Sequence, residues 1–174
     1  MIKGYKDLDP YFIDFQWSEA RKDQPSLFIT GAEFQAHFVY FSGHTPDKRH
    51  ALVQCIELFN QHFGDQLSWG GYYDENGDGH YVDYKDPKMP SIAEVISNNK
   101  DPDDVIEWHC ASGDQLEAPE YMISAMTNRD WEGKLNYGSQ IKFCVPNKLI
   151  FEPEKEKILM DMIQYFIQKL NPYY

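Results

Sequence analysis

Asp74-Glu75-Asn76-Gly77-Asp78-Gly79 places oxygen ligands at the first, third and fifth positions and glycine at the sixth. That is the first half of an EF-hand calcium loop. The twelfth position, where a bidentate glutamate belongs, is Lys85, and its charge repels a cation. Trp69-Gly70-Gly71-Tyr72-Tyr73 precedes the string and does not read as a helix. The string therefore reads first as a turn of residues that tolerate positive φ. A calcium-dependent adaptor built on Asp74, Asn76 and Asp78 stands as an alternative.

The six histidines are His37, His44, His50, His62, His80 and His109. None has HExxH spacing, and none joins a cysteine in a zinc pattern, so no metal ligand is assigned. His37 and His109 fall on the polar sides of expected strands and read as surface or hydrogen-bonded residues. Cys55, Cys110 and Cys144 make no C-x-x-C pair, and an odd count fits no disulfide framework. Cys55 and Cys110 fall on apolar stripes, where thiols are usually inert. A P-loop, a GxGxxG after a strand and a GxSxG elbow are all missing. No catalytic residue or cofactor is assigned, and a hydrolase or transferase of unknown substrate is the second reading.

What positions these residues is a chain of 174 residues, long enough for one domain spanning residues 1–174. Formal net charge is −12 and aromatics make up 16% of the chain. Such an acidic balance argues against nucleic acid or an anionic membrane surface as partner and favours a basic one. No apolar run reaches the length of a membrane span. Met1–Pro10 has no apolar signal core, and no N-x-S/T acceptor is present, so a cytoplasmic protein is expected.

Period-2 alternation predicts strands at residues 11–17 and from Ala32 to Tyr40, with a polar loop over residues 18–26 between them. Leu52, Cys55, Ile56, Phe59 and Phe63 recur at helical spacing, predicting a helix over 46–63. Thr45 should cap it and Gly64 should end it as a left-handed glycine. A hairpin or ordered loop follows over 65–90, then a short helix from Ser91 to about Asn98. Val105–Cys110 and Ile141–Val145 alternate as strands, while Glu120–Thr127 is ambiguous. Pro153 opens a last helix with Leu159, Met162, Ile163, Phe166 and Leu170 as its buried stripe. The sum is α+β: a mainly antiparallel sheet with two long amphipathic helices packed on one face.

Acid and tyrosine coincide in residues 72–86, YYDENGDGHYVDYKD, and Asp101, Asp103, Asp104 and Glu107 follow soon after. Solvated turns explain part of this. The functional reading is an acidic, aromatic face that clamps a basic protein, because Tyr and Trp anchor interfaces while charge steers association. Its candidates are Trp69, Tyr72, Tyr73, Asp74, Asp78 and Tyr81, then Asp101, Asp103 and Asp104.

HFGDQLSWGGY (62–72), WHCASGDQLEAPEYMISAM (108–126) and QIKFCVPNKLIFEPEKEK (140–157), in this order, resemble the type VI immunity family of bacteria. The resemblance runs roughly from residue 30 to residue 174. It implies a protein that binds a cognate secreted antibacterial toxin in the producer's cytoplasm and blocks it without chemistry of its own. It carries over no catalytic residue and no cofactor. Nuclease-like effectors are among the toxins it implies, and an acidic inhibitor suits the basic cleft of such an enzyme.

Overall fold

The computed structural model describes residues 16–21, 24–74, 77–135 and 137–173, with side chains from residue 31 onward. Ile13 and Phe15 of the first expected strand lie outside the described residues, as does Asn76. Strand β1 (Gln16–Arg21) pairs antiparallel with β2 (Gln24–Gly31), so the loop expected over 18–26 is instead a hairpin. Ladder bonds come from the backbone, and pairing of this kind needs no apolar alternation to announce it.

The main sheet holds β3 (Glu33–Tyr40), β4 (Trp69–Tyr73), β5 (Gly79–Asp83), β6 (Glu107–Ala111), β7 (Met122–Met126) and β8 (Ser139–Pro146). Its order is β3-β8-β7-β6-β4-β5, with every neighbouring pair antiparallel. The ambiguous stretch 120–127 resolves as β7. Paired on both sides, it sends Ile123 and Ala125 into the core. Tertiary pairing decides what its short apolar run could not.

Helix α1 (Pro46–Phe63) begins as expected, with Pro46 in the first turn and Asp47 behind it. Thr45 occupies the N-cap, but its hydroxyl donates to the Ser42 carbonyl (2.7 Å) and does not cap the helix. Gly64 is right-handed (φ −59°), which corrects its expected left-handed role. The chain tightens there into a 3-10 turn (Gly64–Gln66), closed by Leu67 N–H donating to the Gly64 carbonyl. Helix α2 (Ile92–Asn98) carries a complete capping box between Ser91 and Glu94. The bonds from Ser91 hold the Glu94 carboxyl below its ordinary range. A short α3 (Asp130–Lys134) and a 3-10 turn (Asn147–Phe151) were not expected. Helix α4 (Pro153–Leu170) ends at Asn171, whose φ of 48° turns the chain left-handed.

Both long helices lie on one face of the sheet, as the stripes predict. Phe38 of β3 and Phe143 of β8 meet Phe59 of α1 and Phe166 of α4, with ring centroids 5.4–5.7 Å apart for the Phe38–Phe166, Phe59–Phe143 and Phe143–Phe166 pairs. Of these four rings Phe59, Phe143 and Phe166 are fully enclosed. Tilted and edge-on pairs of this kind add to the burial energy itself. Alternation sends the other half of each strand to the opposite face, which is open at Tyr73 and Tyr81 and closed at Ala111 and Cys144. Among the described residues, no helix is long and apolar enough to cross a membrane.

Candidate functional site

On strands β4 and β5, the sheet's two-residue period separates the sequence candidates. Trp69 and Tyr73 point to the open face. The register pairs Gly71 with Tyr81 and with His109 of β6, so those two residues join them there. Trp69 meets the His109 ring edge-on (5.3 Å, 85°) and lies 6.2 Å from Tyr81, which is 5.8 Å from His109. Three rings from three strands thus form one continuous cluster. Gly71 makes room for it: a Cβ there would lie 2.5 Å from His109 Cε1. Tyr81 is 62% exposed and Tyr73 43% exposed, while Trp69 is half-buried. Burial lowers the His109 pKa, opposed by the Glu107 carboxylate, so this ring sits in the cluster as a neutral imidazole at neutral pH.

Tyr72 faces the other way, toward the helices, where it stacks on His80 (5.0 Å, 21°) and packs against the core. Asp74 is committed to its turn. Its Oδ1 accepts the Asp78 N–H (2.9 Å) and its Oδ2 pairs with His80 Nε2 (3.0 Å). Gly77, at φ 80°, supplies the left-handed residue of the turn. Asp78 is exposed at the tip. No group of three or more His, Cys, Asp or Glu among the described residues is arranged to hold a metal ion.

Asp101, Asp103 and Asp104 lie on the loop entering β6, tied to α1 and α3 and not to the hairpin. The loop caps itself: Asp101 N–H donates to Asp104 Oδ2 (3.0 Å) and Asp103 N–H to Asp101 Oδ1 (2.9 Å). Arg49 of α1, only 5% exposed, donates to the carbonyls of Asn99 (2.5 Å), Asp101 (3.1 Å) and Asp104 (3.0 Å). Burial lowers the Arg49 pKa, and the Asp104 and Asp101 carboxylates oppose that shift. Because Tyr72 pairs with Trp108, the hairpin tip and this acidic loop stand at the same end of the sheet.

Helix α3 and the residues just after it add candidates that sequence reasoning missed. Trp131, Leu135 and Tyr137 are all exposed, and α3 is bound to the acidic loop by Asp130 N–H donating to the Pro102 carbonyl (3.2 Å) and Arg129 Nε to that of Asp103 (3.2 Å). The readable signal was three large apolar residues in a short polar stretch with no core period. His109 was also missed as a candidate, because only the sheet register brings it to Trp69.

The thiols lie away from these surfaces. Burial pushes Cys55 and Cys144 up to about 12 and raises Cys110 as well. Against an ordinary thiol near pKa 9, a shift to about 12 cuts the thiolate fraction about a thousandfold. Native protein at pH 8 is expected to resist iodoacetamide, with labelling appearing only on denaturation. Fast native labelling of Cys55 or Cys144 would return a thiol to consideration as a nucleophile.

The family described as TsiV, type VI immunity for VRR-NUC, matches residues 51–173. The chain belongs to the TsiV family. The match begins within α1 and runs through α4, so it takes in β4 to β8, the aromatic cluster, the acidic loop and α3. No curated protein matches this chain by sequence. Among solved structures, it is similar to a Pseudomonas aeruginosa T6SS protein, PA0821, with a TM-score of 0.71 and 19% identity. That likeness covers 94% of this chain and 45% of the other, so this chain spans under half the length of that neighbour. At this identity the likeness is one of fold.

Proposed function

We propose that this protein neutralises a cognate VRR-NUC nuclease toxin in the producer's cytoplasm by stoichiometric binding, with no catalysis and no cofactor of its own. The observation that carries the reading is membership of the type VI immunity family for VRR-NUC across the region that builds both candidate surfaces. The proposal treats residues 1–174 as one immunity domain.

Physical chemistry supports binding as the means. A nuclease cleft must attract phosphate, so it is expected to be basic. A chain of net charge −12 attracts such a cleft from a distance, and the attraction raises the rate of encounter. Trp69, Tyr73 and Tyr81 on the open face are proposed as anchors, with Tyr72 behind them as support. Asp74 and Asp78 at the hairpin tip, with Asp101, Asp103 and Asp104 beside α3, are proposed as the steering acids. Nucleic acid and membrane are not proposed as partners.

The test is co-expression with the VRR-NUC toxin encoded by the adjacent gene, scored by bacterial survival and by co-purification with a catalytically inactive form of the toxin. Survival with a one-to-one complex is the expected result. Survival without a complex would indicate enzymatic reversal of the damage and would overturn the reading.

A further inference from the structure

We infer that β5 is a docking edge: a basic strand of the toxin adds to the sheet beside Gly79–Asp83, extending it by one strand. The inference rests on the proposed immunity function and specifies how that partner is held.

The hydrogen-bond parity of the hairpin defines what the edge offers. Asp74 N–H donates to the Asp78 carbonyl (3.0 Å) and Tyr84 N–H to that of Ser68 (2.9 Å), on either side of the paired strands. In this register the even-numbered partners of β4 and β5 exchange the ladder bonds. The backbone groups of Gly79, Tyr81 and Asp83 therefore point away from β4. Gly79 and Tyr81 each present an N–H and a carbonyl, and Asp83 an N–H, its carbonyl accepting from Asp86 N–H (3.0 Å). No other strand among the described residues pairs with this edge. The opposite edge is treated differently: on β3 the Val39 carbonyl is taken by Tyr173 N–H (3.2 Å).

Natural sheets blunt open edges with proline, lysine, other charges, a bulge or short strands. Strand β5 has no proline, lysine or bulge, its register with β4 is continuous, and the charge it carries is the carboxylate of Asp83. Its charge decides the occupant. Asp83 lies in the strand, and the flanking Asp74, Asp78 and Asp86 outnumber the nearby Lys85 and Lys88, so the edge is net negative. A second copy of this chain would bring two net-negative segments edge to edge, which like-charge repulsion opposes. A lysine- or arginine-bearing strand meets complementary charge. Its open-face side chains would lie against Tyr81, covering a ring now mostly in water. In edge addition of this kind the main chain supplies affinity and the flanking side chains supply selectivity.

The experiment separates a main-chain contact from a side-chain one, using the full chain and the inactive VRR-NUC toxin of the adjacent gene. Tyr81→Ala removes the ring but keeps the outward N–H, and is expected to weaken binding about tenfold. Tyr81→Pro also removes the N–H and blocks the incoming strand. It should weaken binding about a thousandfold while leaving the fold intact, because proline is tolerated where the N–H faces solvent. Equal affinity of the two variants would overturn the inference. Amide exchange in the wild type gives a readout independent of any substitution. In the free protein the Tyr81 and Gly79 amides should exchange fast and those of His80 and Val82 slowly, and the toxin should slow the fast pair. Fast exchange at Tyr81 in the saturated complex would sink the edge contact and leave the immunity function standing. Absence of any wild-type complex would sink both.

Discussion

Arg49→Met is expected to lower stability by about 3 kcal/mol, because it strips a buried cation from three carbonyls at once. Methionine fills most of the stem volume but donates nothing. The carbonyls of Asn99, Asp101 and Asp104 lose their charged donor, and the Asp101 and Asp104 carboxylates lose the cation with which both interact. For a chain of this length the loss corresponds to about 6–12 °C in melting temperature. Urea unfolding of the two proteins measures it. A change below about 1 kcal/mol would mean that water replaces the guanidinium at little cost. The acidic loop would then need no help from α1 to hold its shape. The same variant should bind toxin more weakly, since a loop without its anchor presents Asp101, Asp103 and Asp104 in many positions instead of one.

Trp69→Ala is expected to weaken toxin binding about a hundredfold, or about 2.7 kcal/mol. Trp69 is the ring against which His109 is set edge-on, and Tyr81 completes the group. Removing it takes away its own contact area and the wall that orients the two others. Interface energy concentrates in such preordered aromatic groups, because little entropy is lost when they are covered. Trp69→Phe should retain most of the affinity, which separates loss of the ring from loss of the indole N–H. Titration of the variants against inactive toxin, with circular dichroism as the check on folding, gives the comparison. Affinity within threefold of wild type for Trp69→Ala would place the contact elsewhere, with the exposed face of α3 and the acidic loop as the next candidate.

Much of this was legible before any fold was known. The helix over 46–63, the alternation through β3 and the stripe of α4 were readable because each buries one face against a core, and burial writes its period into the sequence. The capping box at Ser91 is a local device, complete within four residues. Family membership was likewise readable from segments 62–72, 108–126 and 140–157. The β1–β2 hairpin was not readable, since backbone pairing leaves no apolar period over residues 18–26. The role of Gly64 was misjudged because its conformation depends on where the following turn takes the chain.

The amino-acid sequence by itself determined the α+β class, the acidic charge and which residue types could anchor a partner. Only the tertiary structure decided which of them act together. Trp69, Tyr81 and His109 come from three strands, and their meeting depends on a register that local sequence does not encode. A shift of one residue would send each ring to the opposite face. Tyr72 shows the same rule from the other side: adjacent to Tyr73 in the chain, it serves the core because a strand alternates. Arg49 and the Asp101–Asp104 loop are also distant in sequence. They meet because α1 packs on the sheet near the loop's entry to β6, and the buried guanidinium donates to the carbonyls that the fold sets around it.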